Sequence, residues 1–271
     1  MNHSRNIQVD PLSRLNSATI ELAPARPSQA PRRTSFYGVL QTVLSRYNSL
    51  RRLFSRSRPA DSQLKELSEI RELAVVPGDI NEYLEAMFVE SVLLQPKLIV
   101  ELGVRGGIST FVFHRAARIC DASLISVDIE DCSSICKYPR WYFFRGDDVQ
   151  LAAHFQDFCQ QRAIFPSVDL LFVDTSHYYE HTVREIQAWF PLLSARARVM
   201  FHDTNLRYIG RRKDGCFELA WNNQRGVIRA IEEYLGIKID ESKEGVHYSR
   251  GWLVRHTPFC NGLTILDRFT A

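Results

Sequence analysis

Between Phe36 and Phe54 the apolar residues Phe36, Leu40, Val43, Tyr47, Leu50 and Phe54 recur at alternating steps of four and three. That spacing puts them on one helical face, with Arg46, Arg51 and Arg52 elsewhere on the helix. A second helix is predicted around residues 63–73 and is broken by Pro77-Gly78. Asp79 reads as the N-cap of a third, running through Glu82, Met87 and Val92 to about Leu94. From Lys97 the pattern changes to short apolar runs that alternate with helical periodicity. Strands are predicted over residues 97–104, 123–129, 141–145, 168–174 and 197–203, and helices over 109–119, 152–162, 179–193 and 226–235. The stretch holding Gly210 and Gly215 reads as irregular, and two further short strands cover 251–255 and 263–266. Continuous runs such as Leu170-Leu171-Phe172-Val173 suit strands buried on both faces of a parallel sheet. The predicted fold is therefore α/β: a doubly wound, mostly parallel, seven-stranded Rossmann-like sheet with an N-terminal helical extension.

Composition changes this picture chiefly at the N-terminus. Of the 271 residues, 45% are hydrophobic and 24% charged, ordinary values for a globular chain. The net charge of +3 is unevenly spread: residues 1–60 carry ten arginines against Asp10 and Glu21, leaving the body acidic. Residues 1–34, rich in Pro, Ser, Arg and Asn, are predicted to be disordered, so 1–60 reads as a basic arm and 61–271 as the folded domain. An arm with an amphipathic helix can pack on its own body, join a second subunit as a homo-oligomer, or lie peripherally on an anionic membrane. Cys132 and Cys136 lack the C-x-x-C spacing of a structural zinc site, and all six cysteines are expected to be reduced thiols. With no secretory signal and no membrane-spanning run, a soluble cytoplasmic protein is expected.

The candidate chemistry begins at Glu101-Leu102-Gly103-Val104-Arg105-Gly106-Gly107, a glycine turn after the first strand of the alternating region. In open α/β sheets ligands settle beyond the carboxyl ends of the strands. Arg105 stands where the dinucleotide fingerprint needs its second glycine, which disfavours a pyrophosphate-bearing cofactor. Asp128 ends the second strand, about where a carboxylate accepts hydrogen bonds from ribose hydroxyls. Gly146-Asp147-Asp148 follows the third, where a side chain could contact an adenine amino group.

These three features together resemble the class I S-adenosylmethionine-dependent methyltransferases, over roughly residues 79–266. The resemblance implies that Gly103, Gly106 and Gly107 wrap the methionine moiety of S-adenosylmethionine and that Glu101 orients the turn. It further implies that Asp128 holds the ribose and that Asp147 or Asp148 sits by the adenine.

A second constellation ends the next two strands: Val173-Asp174-Thr175-Ser176-His177 and Phe201-His202-Asp203-Thr204-Asn205. Paired carboxylates with adjacent histidines could bind a hard divalent cation such as Mg²⁺, or divide into a general base and an orienting acid. D-T-S-H-Y-Y-E-H-T followed by F-H-D-T-N resembles a methyltransferase subgroup that includes macrolide-sugar O-methyltransferases and cephalosporin-biosynthesis proteins. By that resemblance Asp174 and Asp203 are metal ligands and His177, with Asp174, is catalytic. His202 departs from the subgroup, in which an acidic residue tends to precede the second aspartate, and it is a third candidate ligand. His181 reads as a helix-surface residue and Trp189 as core; Tyr178 and Tyr179 either shape the acceptor pocket or pack. The basic cluster at residues 207–213 reads as a solvated loop or an attractor of anionic acceptors.

The expected activity is O-methylation of a hydroxyl on a sugar, glycan or specialised metabolite. A non-catalytic cofactor-binding or scaffold protein of the same fold is the alternative. Nucleic-acid methylation is disfavoured by the acidic body and by the absence of an Asn-Pro-Pro-Tyr-type motif.

Overall fold

The computed structural model describes residues 61–206, 209–211, 217–219 and 225–269. The predicted arm with its helix at 36–54, and most of the 207–213 cluster, lie outside the described residues. Helix α1 spans Asp61–Ala74, and a short 3₁₀ turn at Asn81–Tyr83 leads into α2 (Leu84–Leu94). Asp79 caps neither: Ile80 holds the N-cap position, with no side-chain hydrogen bond. Strand β1 (Leu98–Leu102), α3 (Ile108–Cys120), β2 (Ser123–Asp128) and β3 (Trp141–Arg145) follow within one or two residues of their predicted limits. The next helix starts four residues earlier than predicted, because the Asp147 carboxylate caps it by accepting the Gln150 N–H at 2.9 Å. It is also split at His154 into α4 (Asp148–Ala153) and α5 (Phe155–Gln160). β4 (Val168–Val173), α6 (Tyr179–Trp189), β5 (Leu193–His202) and α7 (Gly226–Leu235) complete the alternating region.

The sheet has eight strands where seven were predicted. Its order is β3-β2-β1-β4-β5-β10-β9-β8, with β8 (Gly245–Ser249), β9 (Trp252–Thr257) and β10 (Leu263–Arg268). The first five are mutually parallel, and β10 enters antiparallel between β5 and β9. β8 escaped prediction because it is a half-exposed edge strand with no apolar run to mark it. The region read as irregular holds a small hairpin of β6 (Ile209–Arg211) and β7 (Phe217–Leu219), apart from the main sheet.

Both faces of the sheet are covered, as continuous apolar strands require. Leu98, Val100 and Leu102 of β1 point into one core with Phe155, Ile186, Trp189 and Ile231. Ile99 points into the other with Leu84, Met87 and Phe113. Trp189 is fully buried, as expected from sequence, and its ring meets Phe155 edge-on at 5.2 Å.

The strand order reverses between β1 and β4, and their parallel register brings the turns at their carboxyl ends together. The Asp174 N–H donates to the Leu102 carbonyl at 2.9 Å. Gly103 follows with φ +89°, and a Cβ there would stand 2.0 Å from the Asp174 carbonyl oxygen. Only glycine meets both demands. Gly103→Ala is therefore expected to destabilise the fold by at least ~2 kcal/mol in urea unfolding, since left-handed strain and the backbone clash add. A variant as stable as the parent would refute this close approach.

Candidate active site

The β1 turn is held from three directions. Glu101 is fully buried, its Oε2 accepting from the hydroxyls of Thr110 in α3 (2.8 Å) and Ser126 in β2 (2.6 Å). Burial pushes its carboxyl up to about 7, against those hydrogen bonds. Asp128 Oδ2 accepts the backbone N–H groups of Val104 (2.8 Å) and Arg105 (2.9 Å), and Oδ1 that of Glu130 (2.9 Å). Gly107 opens α3 with Ile135 packed against its α-carbon, whereas a Cβ at Gly106 would meet no atom within 4 Å. Asp147 Oδ1 caps α4 by accepting the Gln150 N–H. Asp148 is buried and turned inward, its Oδ1 3.1 Å from His181 Nε2, rather than toward the crevice.

At the tips of β4 and β5, Asp174, His177 and Asp203 come together. His177 Nε2 lies 3.2 Å from Asp174 Oδ1 and 2.8 Å from Asp203 Oδ2. His177 (φ +59°) and Asp203 (φ +55°) both adopt left-handed backbone, and this turn at Asp203 ends strand alternation and swings its carboxylate toward His177. Burial disfavours the imidazolium, but hydrogen bonds to Asp174 and Asp203 outweigh it and hold His177 at about 9. Asp174 lies below the usual carboxylate range: burial opposes this, and His177 and His202 prevail. The three side chains place ligand atoms within 4.8 Å of one another, and the two hard carboxylates among them suit a divalent cation.

His202 stands outside that set. It is 1% exposed, with Nε2 donating to the carbonyls of Asp79 (3.0 Å) and Cys260 (3.1 Å) and Nδ1 3.4 Å from Asp174 Oδ1. Against the expectation of a third ligand, both ring nitrogens are engaged in bracing β5 to its neighbours. A cavity of about 540 Å³ opens in front of the cluster, lined by Asp79, Arg105, Ser176, His177, Tyr178 and Asp203 among others. Tyr178 is exposed at its rim. Tyr179 is directed away, packing under Arg229 at 3.9 Å and donating its hydroxyl to Glu233.

Residues 100–204 match a family described as a methyltransferase domain. That stretch runs from the middle of β1 to the turn after β5 and contains Glu101, Asp128, Asp174, His177 and Asp203. The uncharacterized protein y4gI of Sinorhizobium fredii is 30% identical over 134 residues, 43% of this chain. The matched stretch is 14% of that relative's length. Among solved structures, the S-adenosylhomocysteine-bound methyltransferase PaMTH1 of Podospora anserina shares 13% identity, with a TM-score of 0.49 over 78% of this chain and 89% of that one. The MycE methyltransferase of the mycinamycin pathway, solved with Mg, S-adenosylhomocysteine and mycinamycin VI, shares 17% identity, with a TM-score of 0.48 over 75% and 54%.

Three site features were not anticipated. Asp79 reaches the crevice and pairs with Arg105 at 3.3 Å, a tertiary contact with no local signature. Ile129, next to Asp128, is 74% exposed, an apolar side chain left uncovered beside the turn. His181, read as a surface residue, lies between the buried carboxylates of Asp148 and Glu185. Its H-bond with Asp148 chiefly raises it to about 10. Arg184 Nη2 is 3.1 Å from the other ring nitrogen, but its exposed stem can swing away, so the carboxylates decide the charge.

A histidine raised above its unfolded value of ~6.5 stabilises the fold fully below that pH and loses the contribution as pH rises through its folded value. The window for His181 therefore runs from about 6.5 to about 10, and for His177 and His202 to about 9. Metal-free protein should show a lower urea midpoint at pH 10 than at pH 7, and His181→Gln should flatten that dependence. A midpoint that rises over this interval contradicts the charge state assigned to all three rings.

Proposed function

We propose that the chain is an S-adenosylmethionine-dependent O-methyltransferase acting on a hydroxyl of a sugar, glycan or other small molecule. The observation that carries this reading is the gathering of five strand-tip groups around one switch point: the Gly103–Gly107 turn, Asp128, Asp174, His177 and Asp203. The turn offers backbone to the methionine end of the donor, with Gly106 leaving open space. Asp128 already accepts three N–H groups, so of about four lone-pair sites one remains for a ribose hydroxyl. Ile129 offers an apolar face beside it for the base.

The sulfonium donor is already activated, so transfer needs chiefly alignment of the acceptor oxygen with the methyl carbon. A sugar hydroxyl is a poor nucleophile while protonated, and His177 is placed to take its proton. As an imidazolium between two carboxylates, however, His177 cannot accept one at neutral pH. It reaches its accepting form only when another positive charge satisfies Asp174 and Asp203. These two carboxylates would hold a divalent cation such as Mg²⁺, which when bound lowers the pKa of a contacting hydroxyl. Arg105 and Asp79 frame the cavity mouth, and Tyr178 stands where an acceptor ring would pass.

S-adenosylhomocysteine at 100 times its Kd should stabilise the protein by ~2.7 kcal/mol in thermal or urea unfolding, and NAD should not. Gly106→Ala should unfold like the parent yet lose most of that ligand-induced gain, because the added methyl meets ligand and not protein. Stabilisation by NAD alone would refute the cofactor assignment. Asp203→Asn, or exhaustive chelation, should lower methyl transfer at least ~100-fold while sparing S-adenosylhomocysteine affinity; full activity after chelation would remove the cation from the mechanism.

A further inference from the structure

The His181 cluster belongs to neither half of the site, yet it touches both. Asp148 is the first residue of α4, in the turn after β3, and its Oδ1 lies 3.1 Å from His181 Nε2. Glu185, one turn further along α6, has Oε1 3.5 Å from the same nitrogen and accepts the Thr175 hydroxyl at 2.6 Å. Thr175 directly follows Asp174. A continuous polar path thus runs from the turn after β3, through one imidazolium, to the turn after β4.

Asp148 and Glu185 are 6% and 1% exposed, and their second oxygens, Asp148 Oδ2 and Glu185 Oε2, are buried without hydrogen-bond partners among the described residues. Such incompletely satisfied carboxylates are unfavourable in a core, where apolar side chains of the same size would be tolerated better. α4 and α6 already pack against each other through apolar residues, so holding the helices together does not require the cluster. What the cluster adds is direction: a charged, hydrogen-bonded link fixes the relative height of two turns in a way that apolar contacts do not.

On the cofactor reading above, we propose that His181 is a positioning residue. It clamps the turn after β3, at the nucleoside end of the cofactor, to the turn after β4 at the methyl-transfer end, and so sets the span of the cofactor cleft. His181 touches neither cofactor nor acceptor in this assignment and acts through Asp148 and Thr175.

The test is calorimetric titration of the full chain with S-adenosylhomocysteine, for the parent and for His181→Ala, His181→Gln, Asp148→Asn and Val183→Ala. Val183 lies on the same helix and packs against the core. Two positions from both His181 and Glu185, it is off their helical face, so its variant reports the effect of stability loss. His181→Ala and Asp148→Asn should weaken binding roughly tenfold, the scale on which supporting contacts act on a site. His181→Gln, which retains a donor, should recover most of that loss, and Val183→Ala should leave affinity unchanged at a comparable fall in Tm. If His181→Ala does not fold, Asp148→Asn and His181→Gln decide. Binding by the parent with unchanged affinity in these variants, or equal weakening by Val183→Ala, overturns the inference alone. No binding by the parent overturns the cofactor reading and this inference with it. A Mn²⁺ stoichiometry of two that falls to one in His181→Ala overturns it in favour of a second metal site.

Discussion

The close approach of two turns, one after β1 and one after β4, is the constraint on which the rest of the site depends. Parallel pairing sets it up, and the absent side chain at Gly103 lets backbone meet backbone at Asp174. Once those turns touch, the Gly103–Gly107 turn and the cluster of Asp174, His177 and Asp203 share one edge. Asp128 then secures the first turn from the β2 side, and Glu101 secures it from below through Thr110 and Ser126. Asp174 is fixed in turn by two histidines that come from different elements. Asp174 and Asp203 both face the His177 ring, so neither charge is buried bare at the centre.

Much of this was legible in the sequence because it is carried by local pattern. Short apolar stretches marked β1, β2, β4 and the core of β5, and the turns that follow them held the glycines and carboxylates. Periodicity could not reveal elements whose placement depends on the rest of the chain. β8 is half-exposed and gained only by pairing with β9, so it left no apolar signature. Asp79 was read as a helix cap from its position before a helical pattern, but a tertiary partner, Arg105, competes for its carboxylate. His202 was a candidate third ligand from its place beside Asp203, a neighbourhood in sequence that does not settle where its ring nitrogens turn. Its ring is claimed by two carbonyls distant in the chain. His181 was misplaced for the same reason: spacing along α6 fixes which face it occupies, not that Asp148 waits there. Of the two neighbouring tyrosines, the sequence left both open, and the fold separated them onto the cavity rim and the α7 surface.

The divided character of the site also follows from the fold. The β1 and β2 tips offer mostly backbone N–H groups and a carboxylate already engaged by them, which suits the cofactor recognition proposed above. The β4 and β5 tips offer side chains on turns and loops, where substitution changes shape without disturbing the sheet.

The contact between His202 and the Asp79 carbonyl joins residues 123 positions apart, and its partner contact to Cys260 spans another 58. Closures of that length are entropically slow and form after local pairs. The bracing of His202 needs both the segment before α2 and the hairpin connection between β9 and β10 in place. During synthesis the glycine turn and β1 to β4 emerge well before that hairpin. A nascent chain thus carries the Gly103–Gly107 turn before the residues that brace His202 through Cys260 have been made.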